Sequence, residues 1–452
     1  MNRYRPITSR TVGELPQVAA LPAAMRAAID IVSRVLPFRV NRHIVDELID
    51  WSRVPDDPMF RLTFPQREML ADDEYAAITA LVSRDAPASQ IDVMVRRIRA
   101  RLNPHPAGQL ELNMPRLGGR VLSGLQHKYP ETVLFFPSQG QTCHAYCTYC
   151  FRWPQFVDAA TERFAADEVD GLVAYLRAHP EVTSVLYTGG DPLIMSSAIL
   201  RRIVEPVLKA DLPSLVSFRF GSKSLAWWPQ RFVEDADADD VLRLFEEIVA
   251  SGRTVAFMAH VSHPRELEAP MAQKAIARIR ATGAVIRCQA PLIRGVNDDA
   301  AVWTRMWSMQ VRLGMVPYYM FVERDTGPRN FFEVPLARAW EIFREAQSQV
   351  SGLARTARGP SMSATPGKVV IDGVAEIRGE RVFVLRFLQG RDPAWVDRPF
   401  FARFDAEATW LDQLKPPSWE EAFFFEPAME RLHQQRQRLM VLPEAFSPPQ
   451  VG

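Results

Sequence analysis

Gln141-Thr142-Cys143-His144-Ala145-Tyr146-Cys147-Thr148-Tyr149-Cys150-Phe151-Arg152-Trp153 carries three of the four cysteines of a 452-residue chain. The fourth, Cys288, stands alone. A disulfide scaffold of this length would spread its cysteines, so the clustering favours a metal site in a reducing compartment. Spacings of four and three bring the thiols of Cys143, Cys147 and Cys150 around one small volume. The stretch follows an apolar run, Thr132 to Pro137. If that run is a strand, the cysteines lie at its C-terminal end, the edge where α/β folds build their sites. A closed zinc site would need a fourth ligand, His144 or Cys288. Three thiolates alone suit a four-iron cluster with one open iron.

Beyond this loop, short apolar runs alternate with longer amphipathic ones. The strands expected are Thr132–Pro137, Ser184–Thr188, Val216–Phe220, Thr254–Ala259, Val285–Gln289 and Tyr318–Val322. Helices are expected over 167–178, 197–209, 238–250, 270–282, 299–312 and 336–350. Gly252 and Gly283 fall where helix C-caps belong. Six β-then-α units with right-handed crossovers make a parallel sheet, and nearly all-apolar strands agree with a sheet covered on both faces. Periodicity alone leaves open a doubly wound sheet or a partial barrel. Residues 1–120 read as a helical segment, with helices near Ala24–Leu36, Arg42–Trp51, Asp73–Val82 and Ile91–Leu102. Residues 121–358 form the α/β domain. Residues 359–452 read as a small β region, with a meander over Lys368–Asp372, Ala375–Ile377 and Arg381–Leu388, then a tail and a charged helix near 428–440.

Composition excludes several classes. Apolar residues are 47% and charged residues 24%, ordinary for a globular protein. With 54 Lys+Arg against 53 Asp+Glu, no global basic field exists to hold nucleic acid or an anionic membrane. No apolar run is long enough to span a bilayer, and no signal peptide is evident. The expected location is the cytoplasm.

The C-x3-C-x2-C loop after a first strand resembles the radical S-adenosylmethionine superfamily. Leu186-Tyr-Thr-Gly189-Gly190-Asp191-Pro192 is similar to that superfamily's Gly-Gly-acid motif, which contacts the methionyl amine. Further blocks match the lysine 2,3-aminomutase family over roughly residues 125–390. They are His127-Lys128-Tyr129-Pro130-Glu131-Thr132, Phe220-Gly221-Ser222-Lys223-Ser224 with Pro229-Gln230-Arg231, and His260-x-x-His263-Pro264. Gln289-x-x-Leu-x-Arg294-Gly-Val-Asn297-Asp298 and Pro317-Tyr318-Tyr319 complete the set.

That resemblance implies a partial (βα)6 radical S-adenosylmethionine barrel. It implies a [4Fe-4S] cluster on Cys143, Cys147 and Cys150, with S-adenosyl-L-methionine near Gly189, Gly190, Asp191, Ser222 and Gln289. It gives Arg152 to the substrate α-carboxylate, for which a guanidinium fork is suited. It implies pyridoxal 5′-phosphate as a Schiff base on Lys368, with Lys128 at one phosphate-holding position and Thr132 at the other, where a base is lost. His260 and His263 could be taken as a metal pair, but strand-end histidines more often line a site.

In lysine-using members two aspartates hold the distal ammonium, and their places fall on Arg324 and Thr365. Arg324 inverts the charge, so an acidic amino acid such as glutamate or aspartate is expected first, and a neutral one second, in place of free lysine. The adjacent Asp325 would restore an acid if the register slipped by one. The family's cysteine-rich C-terminal zinc site is missing. The function expected is 1,2-amino migration on an amino acid other than free lysine, with an external flavodoxin- or ferredoxin-type electron donor. The alternatives are hydrogen abstraction without pyridoxal phosphate, modification of a protein lysine, and a non-catalytic iron–sulfur protein.

Overall fold

A computed structural model describes residues 4–103, 112–157 and 169–441. An eleven-stranded sheet organises them. Its strands are β1 (Leu125–Tyr129), β2 (Thr132–Phe135), β3 (Ser184–Tyr187), β4 (Ser217–Ser222), β5 (Thr254–His260) and β6 (Val285–Leu292). They continue as β7 (Val316–Val322), β8 (Arg358–Ser363), β9 (Gly367–Ile377), β10 (Glu380–Gly390) and β11 (Pro399–Arg403). The strands lie side by side in chain order. Strands β2 to β8 pair in parallel, while β1 and β9 to β11 are antiparallel additions at the two flanks. Sequential order without a reversal excludes a doubly wound sheet, which needs a switch point.

The crossovers are α1 (Asp170–Ala178), α2 (Ser197–Lys209), α3 (Ala238–Ala250), α4 (Pro270–Ala281), α5 (Ala300–Arg312) and α6 (Leu336–Ser348). Each presents one apolar stripe to the sheet. In α2 the stripe is Leu200, Ile203, Val204 and Val207, all buried at i, i+3, i+4, i+7 spacing. Each such side chain contributes about 1.5–3 kcal/mol by leaving water. Ser196 starts this helix by accepting a hydrogen bond from the Ile199 N–H at 3.4 Å. The expected helix over 167–178 is seen from Asp170; residues 167 and 168 lie outside the described residues.

The two flanks of the sheet meet. Lys128 donates to the Ala364 carbonyl, and Gln389 donates to the Glu131 carboxylate. Arg391 donates to the Thr365 carbonyl at 2.8 Å and to Asn113 at 2.6 Å. The hairpin of β1 and β2 is thus fastened to the β8–β10 region by side chains.

Two expectations need correction. Arg42–Trp51 is not a regular helix; a single wide turn, Ile44–Leu48, is followed by a short turn at Trp51–Arg53. Lys368–Asp372 and Ala375–Ile377 are one strand, β9, whose register shifts between Ile371 and Gly373. The expected antiparallel meander is present as β9 to β11, and it is continuous with the main sheet because β9 pairs with β8. Its aromatic core includes Phe387, Trp395, Phe400, Phe423 and Phe425. The N-terminal segment has its own core, which takes in Ala145, Tyr149 and Trp153 of the cysteine loop. Among the described residues no helix is long and apolar enough to cross a membrane.

Candidate active site

One cavity of about 310 Å³ opens at the C-terminal ends of the parallel strands. Cys143, Cys147 and Cys150 form one wall, Gly189, Gly190, Asp191 and Ser222 another, and Gln289, Arg152 and Arg324 also line it. Ten of the residues singled out from sequence are therefore brought together; Lys128 and Lys368 are not among the lining residues.

All three loop cysteines are free. Burial pushes each thiol up, Cys150 to about 11 and Cys143 well above its ordinary value. Cys143 also feels the charges of Cys147 and Cys150. A buried cluster of this kind ionises at neutral pH only with a metal to receive it. Among the described residues no three of His, Cys, Asp and Glu converge closely enough to hold one metal ion. A cubane cluster asks less, because its three thiolates sit on three different irons. The partners a zinc site would recruit are also engaged elsewhere. His144 Nδ1 lies 3.0 Å from Ser224 Oγ, and Cys288 is buried in the core under the sheet.

Asp191 lies after the Gly-Gly turn, 3% exposed. Its carboxylate accepts from the Leu193 N–H at 3.0 Å, Ser222 Oγ at 2.9 Å, the Lys223 N–H at 2.9 Å and Ser224 Oγ at 3.0 Å. Three of the four donors reach Oδ2 and one reaches Oδ1, so Asp191 anchors the turn while it lines the cavity with Gly189 and Gly190. The turn in turn supports the cysteine loop, since the Asp191 N–H donates to the Thr142 carbonyl at 2.7 Å. A Cβ on Gly190 would sit 2.3 Å from that carbonyl oxygen and 2.5 Å from the Thr142 N. Gly190→Ala is expected to displace the loop and lose most of its iron on reconstitution. Gly221→Ala, whose Cβ would meet nothing nearer than 3.7 Å, is expected to keep it. Iron and sulfide per chain measure both.

Arg152 and Arg324 both approach the Phe151 ring, with guanidinium carbons 5.1 Å and 5.2 Å from its centroid. Arg152 Nη1 and Arg324 Nε are buried without a hydrogen-bond partner. Burial lowers both pKa values, Arg152 to about 10, and each guanidinium stays charged at neutral pH. Asp325 does not line this cavity; it borders a separate one beside Leu102 and Phe331. The one-residue slip that would restore an acid is therefore not what the fold presents. Sequence reasoning missed Glu323, which lines the cavity at 7% exposure. Burial holds its carboxyl well above the usual range, and the charges of Asp325, Glu323 and Asp412 act on Arg324 against its own burial.

Lys368 adjoins the cavity behind Phe321. Its Nζ lies 4.2 Å from the Tyr319 ring centroid and 5.7 Å from that of Phe321, and it donates to Gln389 Oε1 at 2.8 Å. Burial first, then the charges of Arg219 and Arg358, lower its pKa to about 7. Lys128 is pushed well down by burial and by the charges of Arg391, Arg324 and Lys368. Arg219 and Arg358 were also missed from sequence. Among the described residues none of Lys128, Arg219, Arg358 and Lys368 forms an ion pair. His260 lines the cavity, whereas His263 does not and accepts from the Arg265 N–H at 3.2 Å; the two are not a metal pair. Thr365 does not line the cavity either.

No protein-family model matches the chain. A protein of Aquifex aeolicus, provisionally assigned as an L-lysine 2,3-aminomutase, is 30% identical over 400 residues, 88% of this chain and 93% of the relative. The chain belongs to the lysine 2,3-aminomutase family. It is an aminomutase-like enzyme of the radical S-adenosylmethionine superfamily, and membership implies S-adenosylmethionine and a four-iron cluster. The L-lysine 2,3-aminomutase of Fusobacterium nucleatum is 29% identical over 51% of each chain. That of Escherichia coli is 28% identical over 56% of this chain and 69% of its own. Among solved structures, Streptococcus suis SuiB bound to S-adenosylmethionine matches at 12% identity and a TM-score of 0.35, covering 61% of this chain and 57% of that one. The family assignment rests on the sequence relatives.

Proposed function

We propose that this enzyme moves the amino group of an acidic amino acid, glutamate or aspartate, between C2 and C3. The observation that carries the reading is the pair of guanidiniums, Arg152 and Arg324, that line the cysteine cavity, each with a buried nitrogen that has no hydrogen-bond partner. A guanidinium suits a carboxylate bidentately, so two of them suit a dicarboxylate. Arg152 takes the α-carboxylate and Arg324 the distal one. The cluster is carried by Cys143, Cys147 and Cys150, with S-adenosylmethionine along the backbone of Gly189 and Gly190 and beside Ser222 and Gln289. When bound, S-adenosylmethionine and the cluster supply a deoxyadenosyl radical, and pyridoxal phosphate supplies a carbonyl that captures the substrate amine.

Lys368 is the residue that would hold pyridoxal phosphate. The fit is supported by its depressed pKa and by the unpaired bases Arg219, Arg358 and Lys128 around it, which offer counter-charge for a phosphate. The sheet is proposed to curl into a partial (βα)6 barrel. The cysteine loop after β2 and Ser363 at the end of β8 line the same cavity, which a flat sheet would keep far apart. An external flavodoxin- or ferredoxin-type donor supplies the electron.

Arg324→Asp tests the substrate. Placing a carboxylate opposite the distal carboxylate costs about 4 kcal/mol at 4 Å and an effective dielectric of ~20, so turnover of glutamate is expected to fall by about 10²–10³-fold. Lysine should gain. Unchanged kcat/KM for glutamate would contradict the assignment.

A further inference from the structure

The cysteine loop is held from outside the sheet. The first 62 residues make seven hydrogen bonds to residues 142–148. Tyr4 Oη and Asn41 Nδ2 both donate to the His144 carbonyl, at 3.0 Å and 3.3 Å. The Thr148 N–H and hydroxyl donate to the Leu62 and Arg61 carbonyls, at 3.0 Å and 2.7 Å. The most concentrated contact is Arg39. Its Nη1 donates to Thr142 Oγ1 at 2.6 Å and to the Cys143 carbonyl at 3.2 Å. Its own carbonyl accepts from the Tyr146 N–H at 2.8 Å, and its guanidinium carbon lies 4.9 Å from the Tyr146 ring centroid. Two turns of loop either side of Cys143 are thereby clamped by one residue.

Arg39 is half-buried, its Nε is buried without a partner, and no carboxylate pairs with it among the described residues. Its charge is therefore not cancelled locally. Fixed charge and hydrogen bonding next to a cluster's ligands set its reduction potential, and outer-shell partners orient those ligands. We propose that Arg39 is a positioning residue for the iron–sulfur cluster: it fixes the loop around Cys143 and its charge raises the potential at which the cluster accepts an electron. The inference rests on the cluster reading above.

The test is an EPR-monitored redox titration of wild type, Arg39→Lys and Arg39→Gln after anaerobic reconstitution, with iron counted per chain. Loss of a unit charge beside the Cys143 loop in a partly buried setting is worth about tenfold in the ratio of reduced to oxidised cluster. For a one-electron couple that is a fall of about 59 mV in the Gln variant. The Lys variant is expected to stay near wild type. If the Gln variant loses iron that the Lys variant keeps, the charge requirement is again met. Full iron with an unshifted potential in Arg39→Gln overturns the proposal. So does an equal shift in both variants, or loss of iron from both. Wild-type protein that takes up no iron overturns the cluster reading itself and this inference with it.

Discussion

Cys147→Ala comes off anaerobic reconstitution without its four-iron cluster and cleaves no S-adenosylmethionine. The loop offers three thiols to the cavity, and a site-differentiated cluster needs all three. No neighbour can substitute. Asp191 already accepts four hydrogen bonds, His144 is paired with Ser224, and Cys288 is buried on the helix side of the sheet. The matching control follows from the same geometry: Cys288→Ala keeps the cluster, because its thiol does not line the cavity. Iron, sulfide and the visible iron–sulfur absorbance read both variants. A full cluster in Cys147→Ala would contradict the ligand assignment.

The second large effect is expected at Lys368. Borohydride treatment of wild type with pyridoxal phosphate should fix the cofactor to Lys368, as read by peptide mapping, and Lys368→Ala should lose both the label and turnover. The pH dependence follows from the lysine's surroundings. Only the neutral amine is a nucleophile. An ordinary lysine titrates near pH 10.4 and is charged at pH 8. Burial, Arg219 and Arg358 hold Lys368 to about 7, with Glu131 opposing them. Covalent capture should therefore rise through pH about 7 and be level by pH ~8–9. Removing the charge at Arg219 and Arg358 relieves the depression, so the rise in an Arg219→Gln/Arg358→Gln variant moves to higher pH. A profile that keeps climbing to pH ~10 in wild type, or a label on another lysine, would contradict the role.

The parallel core was legible because its strands are continuous apolar runs and its helices carry clean stripes. All six expected strands stand within a few residues of their expected bounds. β8 was not legible. Arg-Gly-Pro-Ser-Met-Ser has no apolar run, and its burial comes from pairing with β7 on one side and β9 on the other. The same reason hid the joining of β9 to the main sheet. At the site, the cysteines and the Gly-Gly turn were legible because their spacing is local. Arg219, Arg358 and Glu323 were not, since a base on a strand, or an acid just past its end, says nothing of which face it takes until the sheet curls. Arg39 was least legible: it meets Thr142 across 103 residues of chain, and no local pattern records that contact. Asp191 was legible through its motif; its carboxylate accepts four hydrogen bonds that hold the turn, and the residue also lines the cavity.

The account is tested most directly by anaerobic incubation of the reconstituted enzyme with S-adenosylmethionine, a low-potential reductant and either glutamate or lysine, with 5′-deoxyadenosine and β-amino acid read by mass spectrometry. The account predicts deoxyadenosine and β-glutamate from the iron-loaded protein alone, with lysine converted far more slowly. Rapid conversion of lysine to β-lysine would refute the charge inversion at Arg324, and full activity in a protein holding only zinc would contradict the cluster chemistry altogether.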